Sequence, residues 1–288
     1  MTKPCPGPAP PSQPKLTAPP GLCDTHLHIV GAFDRFPLAE ERGYTPPVNG
    51  VEELEVFAET LGMDRVVVVH PSCYGTMLDV TEDALERLGN RSRGIAVVDP
   101  SIEDAELDRL NELGFRGLRF TTLLKGGADV TGITTMAERI ARLGWHIQMF
   151  IDAENQLADL LPALQALPVD LVIDHIGHFS AGAGVEHPAF QAMLGLVKTG
   201  RCWVKLSGAY RASEQAPGWE DLTPYAQTLI ETRADRMVWA SDWPHVMLWD
   251  KPMPDGADLL DWALSWGVDD ATMKKILVDN PAELYGFD

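Results

Sequence analysis

The chain has 288 residues, of which 42 are acidic and 23 basic, and its formal charge of −19 disfavours nucleic acid and anionic membrane surfaces as partners. Its apolar fraction of 45% suffices for a full core, although no apolar run is long enough to cross a bilayer. Because the four cysteines show no paired spacing and the N-terminus shows no basic-then-apolar leader, we expect free thiols and a cytoplasmic location. We also expect a monomer or a homodimer.

The first twenty residues are rich in proline and predict an extended arm. Proline fixes φ and cannot donate a backbone hydrogen bond, so a proline-rich stretch favours extended chain over helix or sheet. We therefore expect residues 1–20 to form an arm and residues 21–288 to form one folded unit. The prolines of the arm are Pro4, Pro6, Pro8, Pro10, Pro11, Pro14, Pro19 and Pro20.

Eight strand-like runs follow the arm, and helix-like segments separate them. A continuous apolar run between turn residues is typical of a strand that is buried on both faces. The alternation of strands and helices predicts a parallel sheet, and eight such units predict a single (β/α)₈ barrel of the TIM type. The alternative is an open doubly wound sheet, although no G-x-G-x-x-G follows the first strand. The runs are Leu22–His28, Asp64–Ser72, Arg93–Pro100, Phe115–Thr121, Trp145–Asp152, Val169–His175, Arg201–Ser207 and Arg236–Asp242.

Capping signals predict where four of the helices begin and end. A polar N-cap followed three residues later by an acidic residue favours a helix start, proline suits the first turn, and glycine favours a helix end. The predicted starts and ends are Asn49-x-x-Glu52 with Gly62, Ser101-x-x-Asp104 with Gly114, Thr135-x-x-Glu138 with Gly144, and Pro188 with Gly200.

Two histidines near the end of the first strand predict a functional site. His26 and His28 lie two residues apart, and side chains alternate between the faces of a strand, so both imidazoles point the same way. Two imidazoles aimed at one point can bind a metal ion or polarise a substrate carbonyl. The alternative is an accidental pair at the edge of a strand.

Further candidates come from the C-terminal ends of the other strands, where barrels of this type build their active sites. His175 follows three apolar residues at the end of the sixth run, and we expect Asp174 to orient a neighbour or cap a turn. Asp242 ends the eighth run beneath Trp243, where a carboxylate can act as a general base on water. We expect structural roles for the other histidines and acids near strand ends: His70, His146, His187, Asp99 and Asp152.

These motifs together resemble the amidohydrolase superfamily. The pattern consists of H-x-H after strand one, histidine after strand six and aspartate after strand eight. The stretches DTHLH, HPSCYG, RGIAVVDP, RGLRF, VIDHIG and SDWPH are similar to one branch of it, over roughly residues 20 to 287. That branch contains 2-pyrone-4,6-dicarboxylate lactonase, sugar-acid lactonases and D-galactarolactone isomerase.

The resemblance implies a hydrolase that opens a small, anionic, carboxylated lactone. In such an enzyme Asp242 would activate water, and three histidines would polarise the lactone carbonyl: His26, His28 and His175. A lactone isomerase and a metal-dependent decarboxylase are alternatives on the same barrel, and a non-enzymatic binding module is a third. The resemblance also implies residues that hold the carboxylates and the ring of the substrate: Arg119, Lys125, Arg211, Tyr44 and Ser72.

The chain departs from the usual metal-binding pattern of the superfamily at two strands. Typical two-metal members add a lysine or glutamate from strand four and a histidine from strand five. Strand four here offers Arg119, and strand five offers Gln148, Phe150 and Asp152, with no histidine near its end. We therefore expect no required metal, and the alternative is one zinc ion bound by His26, His28, His175 and Asp242. Lys125 and Phe150 stand where the pyrone dicarboxylate lactonase has arginine and tyrosine, so we expect a related lactone as the substrate.

Overall fold

Eight parallel strands form the centre of the structure, a computed structural model that describes residues 2–124, 127–128 and 130–288. Each strand pairs with the next one along the chain. This order confirms the predicted (β/α)₈ barrel and excludes the open doubly wound alternative. The strands are β1 Cys23–Leu27, β2 Arg65–Val69, β3 Ser92–Ala96, β4 Phe115–Thr121, β5 His146–Phe150, β6 Leu171–Ile173, β7 Cys202–Leu206 and β8 Met237–Trp239.

Helices surround the barrel, and most buried apolar residues form one cluster, while other strand residues form two smaller clusters with the C-terminal segment. None of the helices in the described parts of the chain is long and apolar enough to cross a membrane. All four cysteines lie within those parts, and each is a buried, free thiol. The helices are α1 Val51–Leu61, α2 Asp79–Leu88, α3 Asp104–Leu113, α4 Ile133–Ile140, α5 Ala153–Gln165, α6 Pro188–Lys198, α7 Ala209–Ala212, α8 Thr223–Arg233, α9 Gly256–Asp261, α10 Asp270–Lys274 and α11 Asn280–Tyr285.

The predicted helix ends were more accurate than the predicted starts. Gly62 and Gly114 end α1 and α3 in the left-handed conformation, as predicted. The predicted start of α1 was wrong by one residue, because the backbone N–H of Gly50 binds the Glu53 carboxylate at 2.8 Å. Asn49 does not cap the helix, because its backbone pairs with Val30 in an isolated bridge.

The start of α4 was also wrong, because this helix begins at Ile133, two residues before the predicted Thr135. A short turn over Val130–Gly132 leads directly into it and removes the need for a threonine cap. The first turn of α6 was predicted correctly, since Pro188 is its first residue.

The strands are shorter than the apolar runs that predicted them. β6 ends at Ile173 and β8 at Trp239, whereas the predicted runs extended to His175 and Asp242. The chain leaves the regular ladder before these polar residues, since His175 and Asp242 both have a positive φ, which is incompatible with an extended strand. The strand ends therefore mark where the candidate site begins.

The barrel closes between β1 and β8 through a few specific contacts. Leu27 forms an isolated bridge with Trp243, and the Thr25 hydroxyl donates to the Trp239 carbonyl oxygen at 2.7 Å. Below them, the buried carboxylate of Asp24 accepts hydrogen bonds from the Ser241 hydroxyl and, at 3.0 Å each, from the backbone N–H groups of His26 and Ser241. Burial raises the pKa of Asp24 to about 6, although these hydrogen bonds oppose the shift.

The proline-rich arm runs along the outside of the barrel from the C-terminal to the N-terminal ends of the strands. Near its beginning, Pro4 forms an isolated bridge with Thr45, in the long loop that follows β1. Further on, the backbone N–H of Ser12 binds the Asp255 carboxylate at 3.0 Å at the start of α9, and the arm reaches Asp261 at the end of α9. The carboxylates of Asp255 and Asp261 therefore accept hydrogen bonds from backbone N–H groups of the arm, which is too rich in proline to pair in a sheet.

The stability of Asp24→Asn relative to the wild type should rise with pH. The folded state raises the pKa of Asp24 from 3.8 to about 6 and so binds this proton more tightly than the unfolded chain does. The wild type therefore loses this contribution to the free energy of unfolding as the pH rises from about 4 to about 6, whereas asparagine does not titrate. Urea unfolding at pH 4.5 and pH 7 measures the difference between the two proteins, and an equal difference at both values would contradict the assignment.

Gly94→Ala should destabilise the barrel by about 1–3 kcal/mol, because overpacking of a filled core is costly. A Cβ atom at this position in β3 would lie 2.7 Å from both Leu85 and Phe115. Gly195 in α6 is the control: it is exposed, and a Cβ there would meet no described atom within 4 Å. Gly195→Ala should stabilise the chain by about 0.5–1 kcal/mol. Chemical denaturation measures both, and equal effects of the two substitutions would refute the packing argument.

Candidate active site

Backbone hydrogen bonds between the first and last strands bring together the candidate site residues of these two strands. The N–H of Asp242 donates to the His26 carbonyl oxygen at 2.9 Å, and the N–H of His28 donates to the Trp243 carbonyl oxygen at 2.8 Å. The imidazole rings of His26 and His28 lie on the same side of the chain, with centroids 4.9 Å apart. The H-x-H pair and the aspartate are therefore neighbours because β1 and β8 are adjacent.

Three imidazoles surround the Asp242 carboxylate. The Nε2 atoms of His26 and His28 lie 3.9 and 3.8 Å from Oδ1, and Nε2 of His175 lies 3.7 Å from Oδ2. All four side chains are buried, with at most 5% of the residue exposed. The structure thus brings together the four residues that the sequence nominated as catalytic.

Two of these residues adopt a backbone conformation that side chains usually avoid. His175 has φ of 53° and Asp242 has φ of 61°, in the left-handed region. Such a conformation costs about 1 kcal/mol or more for a residue other than glycine. The surrounding contacts hold both residues in it, and this directs their side chains to a common point above the strands.

Asp242 is an ionised carboxylate with one oxygen fully engaged. The Tyr210 hydroxyl and Arg211 Nε each donate to its Oδ2 at 2.7 Å. Burial raises the pKa of Asp242, but the Arg211 guanidinium and the imidazoles outweigh burial and hold that pKa well below its usual value. Oδ1, which faces His26 and His28, remains available to a reacting molecule.

The histidines that face Asp242 are neutral at pH 7. Burial lowers the pKa of His28 and of His175 to about 4. His28 Nδ1 lies 2.7 Å from the Val69 carbonyl oxygen, which can only accept, so Nδ1 carries the proton and Nε2 carries a lone pair. His175 Nδ1 lies 2.8 Å from the Ser207 hydroxyl, which can donate to it or accept from it.

Asp174 is the centre of a second buried cluster beneath the histidines. Its Oδ1 lies 3.2 Å from His26 Nδ1 and 3.4 Å from Lys205 Nζ. Its Oδ2 accepts from Arg119 Nε at 3.2 Å and from Gln148 Nε2 at 3.1 Å. The contact with His26 agrees with the expectation that Asp174 orients a neighbour.

Sequence reasoning assigned no role to Lys205 or to Gln148 within this cluster. Lys205 is fully buried and donates to Gln148 Oε1 at 2.8 Å and to the Thr25 carbonyl oxygen at 2.9 Å. The signal in the sequence was a lysine inside the apolar run Cys202–Leu206, where a cation is rare without a partner. Its partners come from other strands, so the lysine alone could not identify them.

Four of the five predicted substrate-binding residues are described, and two of them, Arg119 and Arg211, contact the buried carboxylates of Asp174 and Asp242. Arg119 is 6% exposed, its guanidinium lies over the Phe150 ring at 4.8 Å, and no described residue binds its terminal nitrogens. Tyr44 and Ser72 are buried beside each other. Lys125, the fifth predicted substrate-binding residue, lies outside the described residues.

The residues predicted to be structural have structural contacts. His70 lies 2.8 Å from the Thr81 hydroxyl, and His146 packs against Tyr285 at the opposite end of the barrel. The others cap helices or turns: His187 caps α6, Asp152 caps α5, and Asp99 accepts from the N–H of Ser101 at 2.8 Å.

The donor atoms beside Asp242 have the chemistry that a zinc ion requires. One ring nitrogen each of His26 and His28 and one carboxylate oxygen of Asp242 lie within 4.8 Å of one another. Within the described part of the chain, His26 Nε2 has no hydrogen-bond partner. Ligands of a tetrahedral zinc ion with bonds of about 2.0–2.1 Å are about 3.3 Å apart. The observed separations of 3.8 and 3.9 Å would therefore fit zinc after a small inward shift of the side chains.

The whole barrel, without the arm, matches a family of known proteins. A family model described as amidohydrolase matches residues 23–287. A 4-sulfomuconolactone hydrolase of Rhizobium radiobacter is 38% identical over 98% of this chain and 96% of its own length. A 2-pyrone-4,6-dicarboxylate hydrolase of Comamonas testosteroni is 36% identical over 96% of this chain and 93% of its own length.

The fold likewise matches solved structures. A probable 2-pyrone-4,6-dicarboxylic acid hydrolase from Acinetobacter baumannii, solved with citric acid bound, superposes with a TM-score of 0.81. It is 26% identical and covers 93% of this chain and 100% of its own. These findings confirm the branch that the sequence motifs predicted.

Proposed function

The chain belongs to the amidohydrolase family, and from this premise we propose that it hydrolyses a carboxylated lactone. The observation that carries the proposal is the convergence of three imidazoles on Asp242, at 3.7 to 3.9 Å, beside the guanidinium of Arg211. Such a site can activate water, polarise a carbonyl and bind an anionic group. The two relatives above that share more than 30% of their residues with this chain are both lactone hydrolases.

Water is bound and activated beside Asp242 Oδ1. Nε2 of His28 carries a lone pair, so it accepts a hydrogen bond from water and does not donate one to a carbonyl. We assign His26 Nε2 the same role. This differs from the sequence-based expectation that all three histidines polarise the carbonyl, and the contact between His28 and the Val69 carbonyl is the support for the change. Asp242 accepts the proton as the water oxygen attacks.

His175 polarises the lactone carbonyl. When the Ser207 hydroxyl donates to Nδ1, the ring proton is on Nε2 and can stabilise the oxyanion. The new bond joins the water oxygen to the carbonyl carbon, and the ring carbon–oxygen bond then breaks. Asp242 returns the proton to the leaving oxygen, so the product is a hydroxy acid and no other reactant is consumed.

Guanidinium groups hold the carboxylates of the substrate. Arg119 has terminal nitrogens that no described residue binds, and Arg211 retains donors beyond those that contact Asp242 and the Val246 carbonyl oxygen. We assign Lys125 to a further carboxylate, and Tyr44 and Ser72 to the ring. The citric acid bound to the Acinetobacter relative, a small polycarboxylate, supports an anionic substrate.

The reaction requires no metal ion. Arg211 already balances the charge of Asp242, and Arg119 is close enough to His28 to lower its pKa, so a divalent cation would add charge to a site that is already compensated. If zinc binds, then His26, His28, His175 and Asp242 would hold it, and it would supply Lewis acidity and lower the pKa of its water. The four free thiols support a cytoplasmic location.

Asp242→Asn should lower turnover about a hundredfold or more, because the amide cannot accept the proton of water. A panel of pyrone, muconolactone and sugar-acid lactones is assayed by acid release in ¹⁸O water. The wild type should incorporate ¹⁸O into the product carboxylate, which a lactone isomerase would not do.

Asp99→Asn is the matched control, because Asp99 is an exposed turn residue whose carboxylate binds Ser101 and no residue of the site, so the variant should retain wild-type turnover. Near wild-type turnover in Asp242→Asn would remove Asp242 from the mechanism. A wild type that opens no lactone of the panel would refute the proposed function.

Chelation should leave ring opening unchanged, because the site is charge-balanced without a cation. The wild type is treated with EDTA, dialysed, analysed for metal by plasma emission and assayed again. Loss of activity that zinc restores would show that the reaction needs a metal, as a decarboxylase or a zinc hydrolase would.

A further inference from the structure

His26 lies between two buried carboxylates. Its Nδ1 is 3.2 Å from Asp174 Oδ1, and its Nε2 is 3.9 Å from Asp242 Oδ1. A neutral imidazole carries one proton, so whichever nitrogen is protonated leaves the other as an acceptor. The contact at Nδ1 therefore decides what His26 presents to the reacting molecules.

Two groups compete for the Nδ1 atom of His26. The Asp174 carboxylate can only accept a hydrogen bond, whereas Lys205 Nζ, at 3.4 Å, can only donate one. Lys205 already donates to Gln148 Oε1 and to the Thr25 carbonyl oxygen, at 2.8 and 2.9 Å, and its Nζ also lies 3.4 Å from Asp174 Oδ1. The shorter contact and the preoccupied ammonium favour Asp174 as the partner.

The charge on Asp174 strengthens this preference. Two cations lie against this carboxylate, with Arg119 Nε 3.2 Å from Oδ2 and Lys205 Nζ 3.4 Å from Oδ1, and both favour its ionised form. A lone pair on Nδ1 facing an ionised oxygen would be repelled, whereas a proton there forms a charge-assisted hydrogen bond.

We propose that Asp174 is a positioning residue, which fixes His26 with its proton on Nδ1 so that Nε2 offers a lone pair to the hydrolytic water. The role of that water rests on the proposed function. His26 then matches His28, whose proton is fixed by the Val69 carbonyl oxygen. The two Nε2 lone pairs and Asp242 Oδ1 are three acceptors around one point. A water molecule bound there donates one proton to Asp242 Oδ1 and the other to one of the two Nε2 atoms.

The same carboxylate also orients a substrate-binding group. Asp174 Oδ2 accepts from Arg119 Nε at 3.2 Å, which leaves the terminal nitrogens of the guanidinium free of described partners. Asp174 thus couples the orientation of the water-binding histidine to that of the anion-binding arginine. We expect its loss to affect both turnover and substrate affinity.

Asp174→Asn tests the proposal. The amide oxygen would satisfy Arg119 and Gln148, and the amide NH₂ would face His26 Nδ1, which must then accept and move its proton to Nε2. Turnover should fall about a hundredfold to ten-thousandfold, the scale seen when a buried aspartate that orients a catalytic histidine becomes asparagine. The KM should rise because a neutral amide oxygen holds the Arg119 guanidinium in position less firmly than a carboxylate does.

The decisive readout is the position of the ring proton, which needs no substrate. Long-range ¹H–¹⁵N spectra of protein labelled in histidine distinguish a proton on Nδ1 from one on Nε2, and comparison with His26→Asn assigns the signal. Gln148→Met is the matched control, because it removes another buried polar side chain of the cluster and leaves Asp174 in place. It should lose stability and keep the His26 proton on Nδ1.

Each possible result either supports or contradicts the proposed role of Asp174. A proton on Nδ1 in the wild type and on Nε2 in Asp174→Asn, with the predicted loss of turnover, supports the proposal. A wild-type His26 protonated on Nε2 overturns it, even if Asp174→Asn does not fold. It is also overturned if Asp174→Asn keeps the proton on Nδ1 or loses no more activity than Gln148→Met. Failure of every lactone in the wild-type assay would refute the proposed function alone, since the spectra would still report the proton.

Discussion

The candidate chemistry depends on the backbone hydrogen bond between the Asp242 N–H and the His26 carbonyl oxygen. It closes the barrel between its first and last strands, and it is formed by the residues whose side chains meet above it. The ends of the chain's folded unit must therefore come together before the site exists. The left-handed backbone of Asp242 is then held by the closure of the barrel and not by local preference.

The buried charges beneath and beside the histidines have a functional explanation and not a stability explanation. Two ion-paired carboxylates and three cations lie in the centre of the barrel, where removing charges from water is expensive and an apolar core is often at least as stable. Each carboxylate has its own cation: Arg211 for Asp242, and Arg119 with Lys205 for Asp174. This pairing keeps both acids ionised in a site where three imidazoles remain neutral.

Much of the fold and the identity of the central residues could be predicted from the sequence, because both follow from local patterns. Apolar runs of strand length, alternating with helices that end at glycine, predict a barrel. The H-x-H pair, His175 and Asp242 follow predicted strands, at the end of the barrel where active sites are built. The role of Asp174 was predicted only in outline, because Lys205 and Gln148 reach it from other strands and no local pattern reports that meeting. The start of α1 was wrong because Asn49 pairs with Val30, a contact between residues distant in the chain.

The course of the arm has a practical consequence for producing this enzyme. Thr2 and Cys5 hydrogen-bond to Thr45, next to Tyr44 at the C-terminal ends of the strands, whereas Gly286 is bound by Arg93 at the opposite face of the barrel. An affinity tag or fusion partner joined before Thr2 would emerge beside the loop that follows β1 and strain the contacts of the arm. The same addition at the C-terminus would emerge on the far side of the barrel, so recombinant versions for assay or immobilisation are better extended there.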